Sequence, residues 1–220
     1  MRYEVFETPE ALGQGAADLF ESLLLATLRE RDRFRVALSG GSTPLHLYRA
    51  LRGRELPWER VEWYWSDERT VGPDSKDSNY RLAHDELLAH LPASGRVERI
   101  PGEIDPHEAA RRYAEVLPES IDLCYLGMGD DGHTASLFPG TEGLAATGRV
   151  TANFVPRLGT WRVSFTFEEI NRAHNVQLLV TGQNKASVLA EVRAHAGKHP
   201  VERVKDPLWL LDREAASQLA

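Results

Sequence analysis

The chain has 220 residues, 42% of them hydrophobic and 27% charged, with a formal net charge of −7. That length supports one substantial core, and the composition is ordinary for a soluble globular protein. The acidic balance argues against a nucleic-acid-binding face, although a local basic pocket is compatible with it. The single cysteine, Cys124, has no partner for an intramolecular disulfide, so nothing points to an oxidising compartment. The start, Met-Arg-Tyr-Glu-Val-Phe-Glu, lacks the apolar core of a signal peptide. No apolar run approaches the ~18 residues of a membrane span. The expectation is one domain over residues 1–220, cytoplasmic and monomeric, with no nucleic-acid or membrane partner.

In chain order, residues 9–31 read as an amphipathic helix, with Leu12, Ala16, Leu19, Phe20, Leu23 and Leu24 at helical spacing and Pro9 in its first turn. A strand over Phe34–Leu38 leads into Ser39-Gly40-Gly41-Ser42-Thr43-Pro44, and a helix follows to about Arg52. A strand over Val61–Trp65 ends at a loop, Ser66-Asp67-Glu68-Arg69. Asp77 or Ser78 caps a helix to about His90. A short strand near Val97–Ile100 precedes a helix around Pro106–Leu117. The strand Ile121–Leu126 ends at a glycine-rich loop. Val150–Val155 and Arg162–Thr166 read as strands, and Phe167–Ala173 as a short helix. Val176–Val180 is an apolar strand before a helix over Asn184–Ala194. Leu208–Leu211 is a last strand, with Asp212 capping a terminal helix. Strands that are continuous apolar runs alternate with helices, as in an open, mostly parallel α/β sheet covered by helices on both faces, a Rossmann-like architecture.

Ligands in such sheets sit beyond the carboxyl ends of the strands. Four polar motifs fall there, after Leu38, Trp65, Leu126 and Val180. In the first, Ser39 to Thr43, the glycines Gly40 and Gly41 expose backbone N–H groups at a helix start, and Ser42 and Thr43 add hydroxyls, which makes an anion cradle. The lysine and spacing of a nucleoside-triphosphate loop are absent. In the second, Arg69 offers a planar fork for phosphate or carboxylate, and Asp67 can orient a neighbour or meet a sugar hydroxyl. Glu68 reads as a solvated charge. In the fourth, Lys185 stands in the first turn of a helix, where a cation opposes the dipole unless an anion is bound nearby. Arg162 is a further cation, and Arg157 a weaker one.

The third motif, Gly127-Met128-Gly129-Asp130-Asp131-Gly132-His133, matches G-x-G-x-x-G after a strand. Dinucleotide binding is disfavoured. Two carboxylates stand where a pyrophosphate must approach, no acidic residue follows at the ribose position, and the first strand–turn–helix unit has a different loop. His133 reads as a general base, with Asp131 orienting the imidazole. No second His or Cys is paired with it for a metal, so no metal site is expected. The other histidines, at 46, 84, 90, 107, 174, 195 and 199, read as surface or helix residues, and Cys124 as a buried apolar side chain. Together these residues suit a small phosphorylated metabolite and proton transfer. Hydrolysis of an ester or lactone and isomerisation of a sugar phosphate fit equally well.

The four motifs, in order over nearly the whole chain, closely resemble those of the 6-phosphogluconolactonases, most specifically in Gly132-His133-Thr134-Ala135-Ser136-Leu137-Phe138-Pro139. The resemblance implies a sugar-phosphate isomerase/deaminase-like fold. It also implies hydrolysis of 6-phosphoglucono-1,5-lactone to 6-phosphogluconate, the second step of the oxidative pentose phosphate pathway, with no cofactor. In that reading His133 activates water, and Ser39, Gly40, Gly41, Ser42, Thr43, Asp67, Arg69, Arg162 and Lys185 hold the phosphosugar lactone. The related glucosamine-6-phosphate deaminases differ in two places. Their histidine loop carries a carboxylate where this chain has Phe138, and their second loop carries a tyrosine where this chain has Arg69. A glucosamine-6-phosphate deaminase-like enzyme and a non-catalytic sugar-phosphate-binding domain are the alternatives. The Gly-Thr-Trp spacer before Arg162 departs from the usual pattern, which makes Arg162 a weaker assignment than Lys185.

Overall fold

A computed structural model describes residues 1–219. The elements run β1 (Arg2–Phe6), α1 (Pro9–Thr27), β2 (Phe34–Leu38), α2 (Thr43–Leu51), β3 (Val61–Trp65), β4 (Asp67–Arg69), α3 (Asn79–Glu86), α4 (Pro106–Val116), β5 (Leu123–Leu126), β6 (Val150–Val155), β7 (Thr160–Phe165), α5 (Phe167–Ile170), β8 (Val176–Val180), α6 (Ala186–Arg193) and β9 (Leu208–Asp212).

The six-stranded sheet has the order β1-β9-β8-β5-β2-β3, and every pairing in it is parallel. This is the Rossmann-like α/β architecture expected. Strands β2, β3, β5 and β8 are almost wholly buried, which explains their near-continuous apolar runs. From β2 the chain moves outward to β3, while from β5 it moves the other way to β8 and β9. The switch point therefore lies between β2 and β5, where a crevice opens at the strands' carboxyl ends. The loops that follow these two strands are the Ser39–Thr43 cradle and the His133 loop.

Several expectations need correction. Residues 67–69 are not a loop. They form β4, the edge of a separate three-stranded antiparallel sheet, β4-β7-β6. Strand β1 has no counterpart in the sequence reading: it is an edge strand with mostly exposed side chains, paired only with β9. Helix α1 stops at Thr27, because the charged run Arg29-Glu30-Arg31-Asp32-Arg33 beyond it offers no apolar face to bury. The expected strand at 97–100 shrinks to one bridge, Val97 to Trp63. The helix expected to His90 ends at Glu86 and is followed by a turn of 3-10 helix, Leu88–His90. The terminal helix is only a 3-10 turn, Ala215–Gln218.

Helix starts are more legible. Thr8 Oγ1 accepts from Ala11 N (3.2 Å) with Pro9 at the first helical position. Ser78, not Asp77, caps α3, accepting from Arg81 N at 3.1 Å. The core sets the strand ends: the buried Tyr113 hydroxyl on α4 accepts from Trp65 N (2.7 Å) and donates to Trp65 O (3.0 Å). That pins the end of β3 immediately before the second motif.

Candidate active site

The four motifs line one cavity of about 380 Å³. Ser39, Gly40, Gly41, Ser42 and Thr43 form its first wall. The Tyr48 hydroxyl anchors this loop by donating to Ser39 O (2.6 Å). Ser42 stands at the N-cap of α2 without a side-chain capping bond, which leaves its hydroxyl free. Ser39 Oγ is buried and has no hydrogen-bond partner among the described residues. Thr43 Oγ1 shares a hydrogen bond with Thr181 Oγ1 (2.7 Å), tying the first motif to the fourth.

The second motif is a buried polar knot. Asp67 Oδ2 accepts from Ser136 Oγ (2.6 Å) and its Oδ1 from Asn79 Nδ2 (3.1 Å), so Asp67 fixes the His133 loop to α3. Glu68 overturns the reading as a solvated charge: it is 2% exposed. It accepts from the backbone N–H of Arg69, Asn79 and Tyr80 and from Ser78 Oγ. Two of these are orphan donors of the first turn of α3, so Glu68 caps that helix from outside it. Burial pushes its carboxyl up, against the pull of those four donors. Arg69 donates to Asp77 O (2.6 Å) and stands directly across the β4–β7 pair from Arg162. Burial, then the charge of Arg69, pushes the Arg162 guanidinium down from its ordinary value.

The third motif pairs a histidine with a carboxylate. His133 Nδ1 lies 2.5 Å from Asp131 Oδ1, and the same oxygen accepts from His133 N at 3.1 Å. A carboxylate at Nδ1 fixes the tautomer with the proton on that nitrogen. The Nε2 lone pair is then the basic one, on a side chain that lines the cavity. Gly129 makes the approach possible, since a Cβ there would fall 2.0 Å from His133 Nδ1. Burial works to raise the Asp131 carboxyl, but the hydrogen bonds from His133 and the charges of His133 and Arg157 outweigh it and hold it below the usual value. The Phe138 ring stacks on the imidazole at 4.0 Å between centroids. Arg157 lies over the other partners: its Nη2 is 2.9 Å from Asp131 Oδ2, and its guanidinium is 4.9 Å from the Phe138 centroid.

In the fourth motif, Lys185 ends a 3-10 turn, Gln183–Lys185, and occupies the N-cap of α6 rather than its first turn. It lines the cavity and forms no ion pair among the described residues. Gly182 N is held by the Asp212 carboxylate (3.1 Å), which also accepts from Ala215 N (2.7 Å). Asp212 thus shapes the Lys185 loop as well as the final turn.

All the singled-out residues meet at this one place except Asp131, which reaches it through His133. Arg69, Arg157, Arg162 and Lys185 bring four cations to the cavity of an acidic chain. Sequence reasoning undervalued Arg157, because its partners are distant in the chain, and it missed Asn79 and Ser136, whose hydrogen bonds to Asp67 only the fold reveals. Among the described residues no three His, Cys, Asp or Glu side chains converge to hold a metal ion, and no helix is long and apolar enough to cross a membrane.

The sequence profile of the glucosamine-6-phosphate isomerases/6-phosphogluconolactonase family matches residues 7–211. The chain belongs to this family. A 6-phosphogluconolactonase of Nostoc sp. is 36% identical over 236 residues, covering 99% of this chain and 98% of that one. A 6-phosphogluconolactonase of Rhizobium meliloti is 36% identical over 226 residues, covering 98% and 95%. Among solved structures, the 6-phosphogluconolactonase of Trypanosoma brucei superposes with a TM-score of 0.86 at 30% identity, covering 100% of this chain and 98% of that one.

Proposed function

We propose that this chain hydrolyses 6-phosphoglucono-1,5-lactone to 6-phosphogluconate, with His133 as general base. One observation carries the mechanism: an imidazole fixed by Asp131 at Nδ1, with Nε2 unengaged, borders a cavity lined by four cations. The near full-length relatives named 6-phosphogluconolactonase support the substrate.

The Ser39–Thr43 cradle, together with Arg69, Arg162 and Lys185, holds the phosphate and orients the lactone ring. A water attacks the C1 carbonyl while His133 Nε2 takes its proton. The carbonyl oxygen becomes an oxyanion, which a cavity cation or backbone N–H stabilises. Collapse of that intermediate breaks the bond from C1 to the ring oxygen, and His133 returns its proton to that oxygen. The net change is addition of one water. Asp131 stays ionised throughout and stabilises the imidazolium. Phe138 fills the position where the deaminase reading requires a carboxylate, and its ring packs on the base instead of shuttling protons.

The proposed setting is the cytoplasm, with the chain acting as a single-domain monomer without a cofactor. The lone cysteine supports a setting that needs no disulfides: Cys124 is fully buried, and burial pushes its thiol well above the usual range.

The test is to generate the lactone in situ and follow its loss with and without protein, subtracting spontaneous hydrolysis, with ammonia release from glucosamine 6-phosphate measured in parallel. Accelerated lactone loss without ammonia release is expected. Ammonia release without acceleration would replace the lactonase by the deaminase reading.

A further inference from the structure

His199 lies behind the catalytic turn and takes no part in the mechanism above. Its side chain is only 13% exposed, unlike the surface or helix residue its sequence context suggested. The ring is pressed against Gly132: a Cβ at that position would fall 2.5 Å from His199 Nδ1 and 2.6 Å from its Cγ. Gly132 also has φ +74°, a conformation that disfavours side chains. His199 Nδ1 is 3.3 Å from the Asp131 carbonyl oxygen, and Nε2 is 3.0 Å from Glu191 Oε2 on α6. The same segment bonds the turn a second time, through Val201 N to Gly132 O (3.0 Å). The segment is itself held by Glu202, whose carboxylate accepts from the backbone N–H of Gly197, Lys198 and His199.

We propose that His199 is a positioning residue for the base: wedged between Glu191 and the Asp131–Gly132 peptide, it braces the turn that carries Asp131 and His133 against α6. This rests on the reading of His133 as base. The helix that receives the brace begins immediately after Lys185. One rigid element therefore connects a cation of the cavity to the turn that carries the base.

The brace engages both edges of the ring. Both ring nitrogens face acceptors, a carbonyl oxygen on one side and a carboxylate on the other. A neutral imidazole has one N–H and satisfies one of them, whereas the imidazolium donates to both. The other charges around it are Lys198, 3.6 Å from the Glu191 carboxylate, the Glu202 carboxylate at the strap's backbone, and Arg157 with His133 on the Asp131 carboxylate.

The experiment compares wild type, His199→Phe, which keeps a ring and loses both hydrogen bonds, and Glu191→Gln, a half-exposed change that leaves an acceptor but removes its charge. kcat and KM are measured for each, and the imidazole resonances of His133 are followed by NMR. His199→Phe should lower kcat about ten- to a hundredfold through misplacement of the base, leave KM within about twofold and shift the His133 resonances. Glu191→Gln, which weakens one contact of the ring, should lower kcat by less than His199→Phe. An unchanged kcat, a loss expressed in KM instead of kcat, or unmoved His133 resonances would each overturn the proposal. The resonances need no turnover. If they move while the wild type fails to hydrolyse the lactone, the activity reading falls and the brace stands.

Discussion

Phe138 lies nearly flat against His133, with ring centroids 4.0 Å apart and planes inclined by 26°. The residue that separates this chain from the deaminase pattern is therefore in contact with the His133 imidazole itself. Asp131 fixes the imidazole edge, and Phe138 fixes its face.

Phe138→Ala should loosen the imidazole without touching its hydrogen bond to Asp131. Aromatic pairs contribute about 0.5–1.5 kcal/mol beyond area burial. If that energy holds the productive ring orientation, kcat falls about two- to tenfold, since each ~1.4 kcal/mol is a tenfold change. KM should stay nearly constant. Initial rates corrected for spontaneous hydrolysis decide it, and an unchanged kcat would remove Phe138 from the positioning of the base.

Lys185 and Arg162 should separate by their effects on the free protein. A hydrogen bond to a charged group contributes about 1.5–3 kcal/mol, so replacing either by Met should raise KM about 10- to 150-fold if it holds the phosphate. Arg162 also faces Arg69 directly across an antiparallel pair, and like charges so placed are destabilising by roughly 0.2–1 kcal/mol. Arg162→Met should therefore melt at a higher temperature than wild type while binding more weakly. Lys185→Met, with no such neighbour, should not gain stability. Parallel thermal melts and KM measurements test the contrast; a destabilised Arg162→Met would contradict it.

Alkaline stability follows from buried phenols. Burial, then the Glu62 charge, pushes Tyr64 from 10.0 up to about 12, and burial also pushes Tyr48, Tyr113 and Tyr125 upward. A phenol raised in the folded state keeps its proton where the unfolded chain has released it. Stability is then full below about pH 10 and falls as pH rises, by about 1.4 kcal/mol per pH unit for each such group. Denaturant midpoints should drop steeply between pH 10 and 12, with phenolate absorbance from these residues appearing together with unfolding. Phenolate signals of all the tyrosines appearing before unfolding would contradict the assignment.

The sequence carried the buried strands and the motif loops well, for a physical reason. Phe34–Leu38, Val61–Trp65 and Val176–Val180 are apolar because helices and neighbouring strands enclose them, and their ends are marked by Ser, Gly and Thr where the backbone must turn. Edge strand β1 was illegible, because half of its surface faces solvent and its composition resembles a tail. β4 was hidden as well: Asp67-Glu68-Arg69 looks like a charged loop until Asn79, Ser136 and Arg162 are brought to it from distant parts of the chain. The same holds for Glu68, whose solvated appearance reverses once the first turn of α3 supplies its donors. His133 and Asp131 were legible because they are two residues apart. Arg157, Asn79 and His199 were not, because only the fold makes them neighbours.

The most direct measurement is lactone turnover by His133→Ala, with spontaneous hydrolysis subtracted and binding of 6-phosphogluconate measured alongside. A general base contributes roughly 10²–10⁴-fold. A loss of kcat in that range is expected, with 6-phosphogluconate still bound. Near-normal turnover in this variant would contradict it.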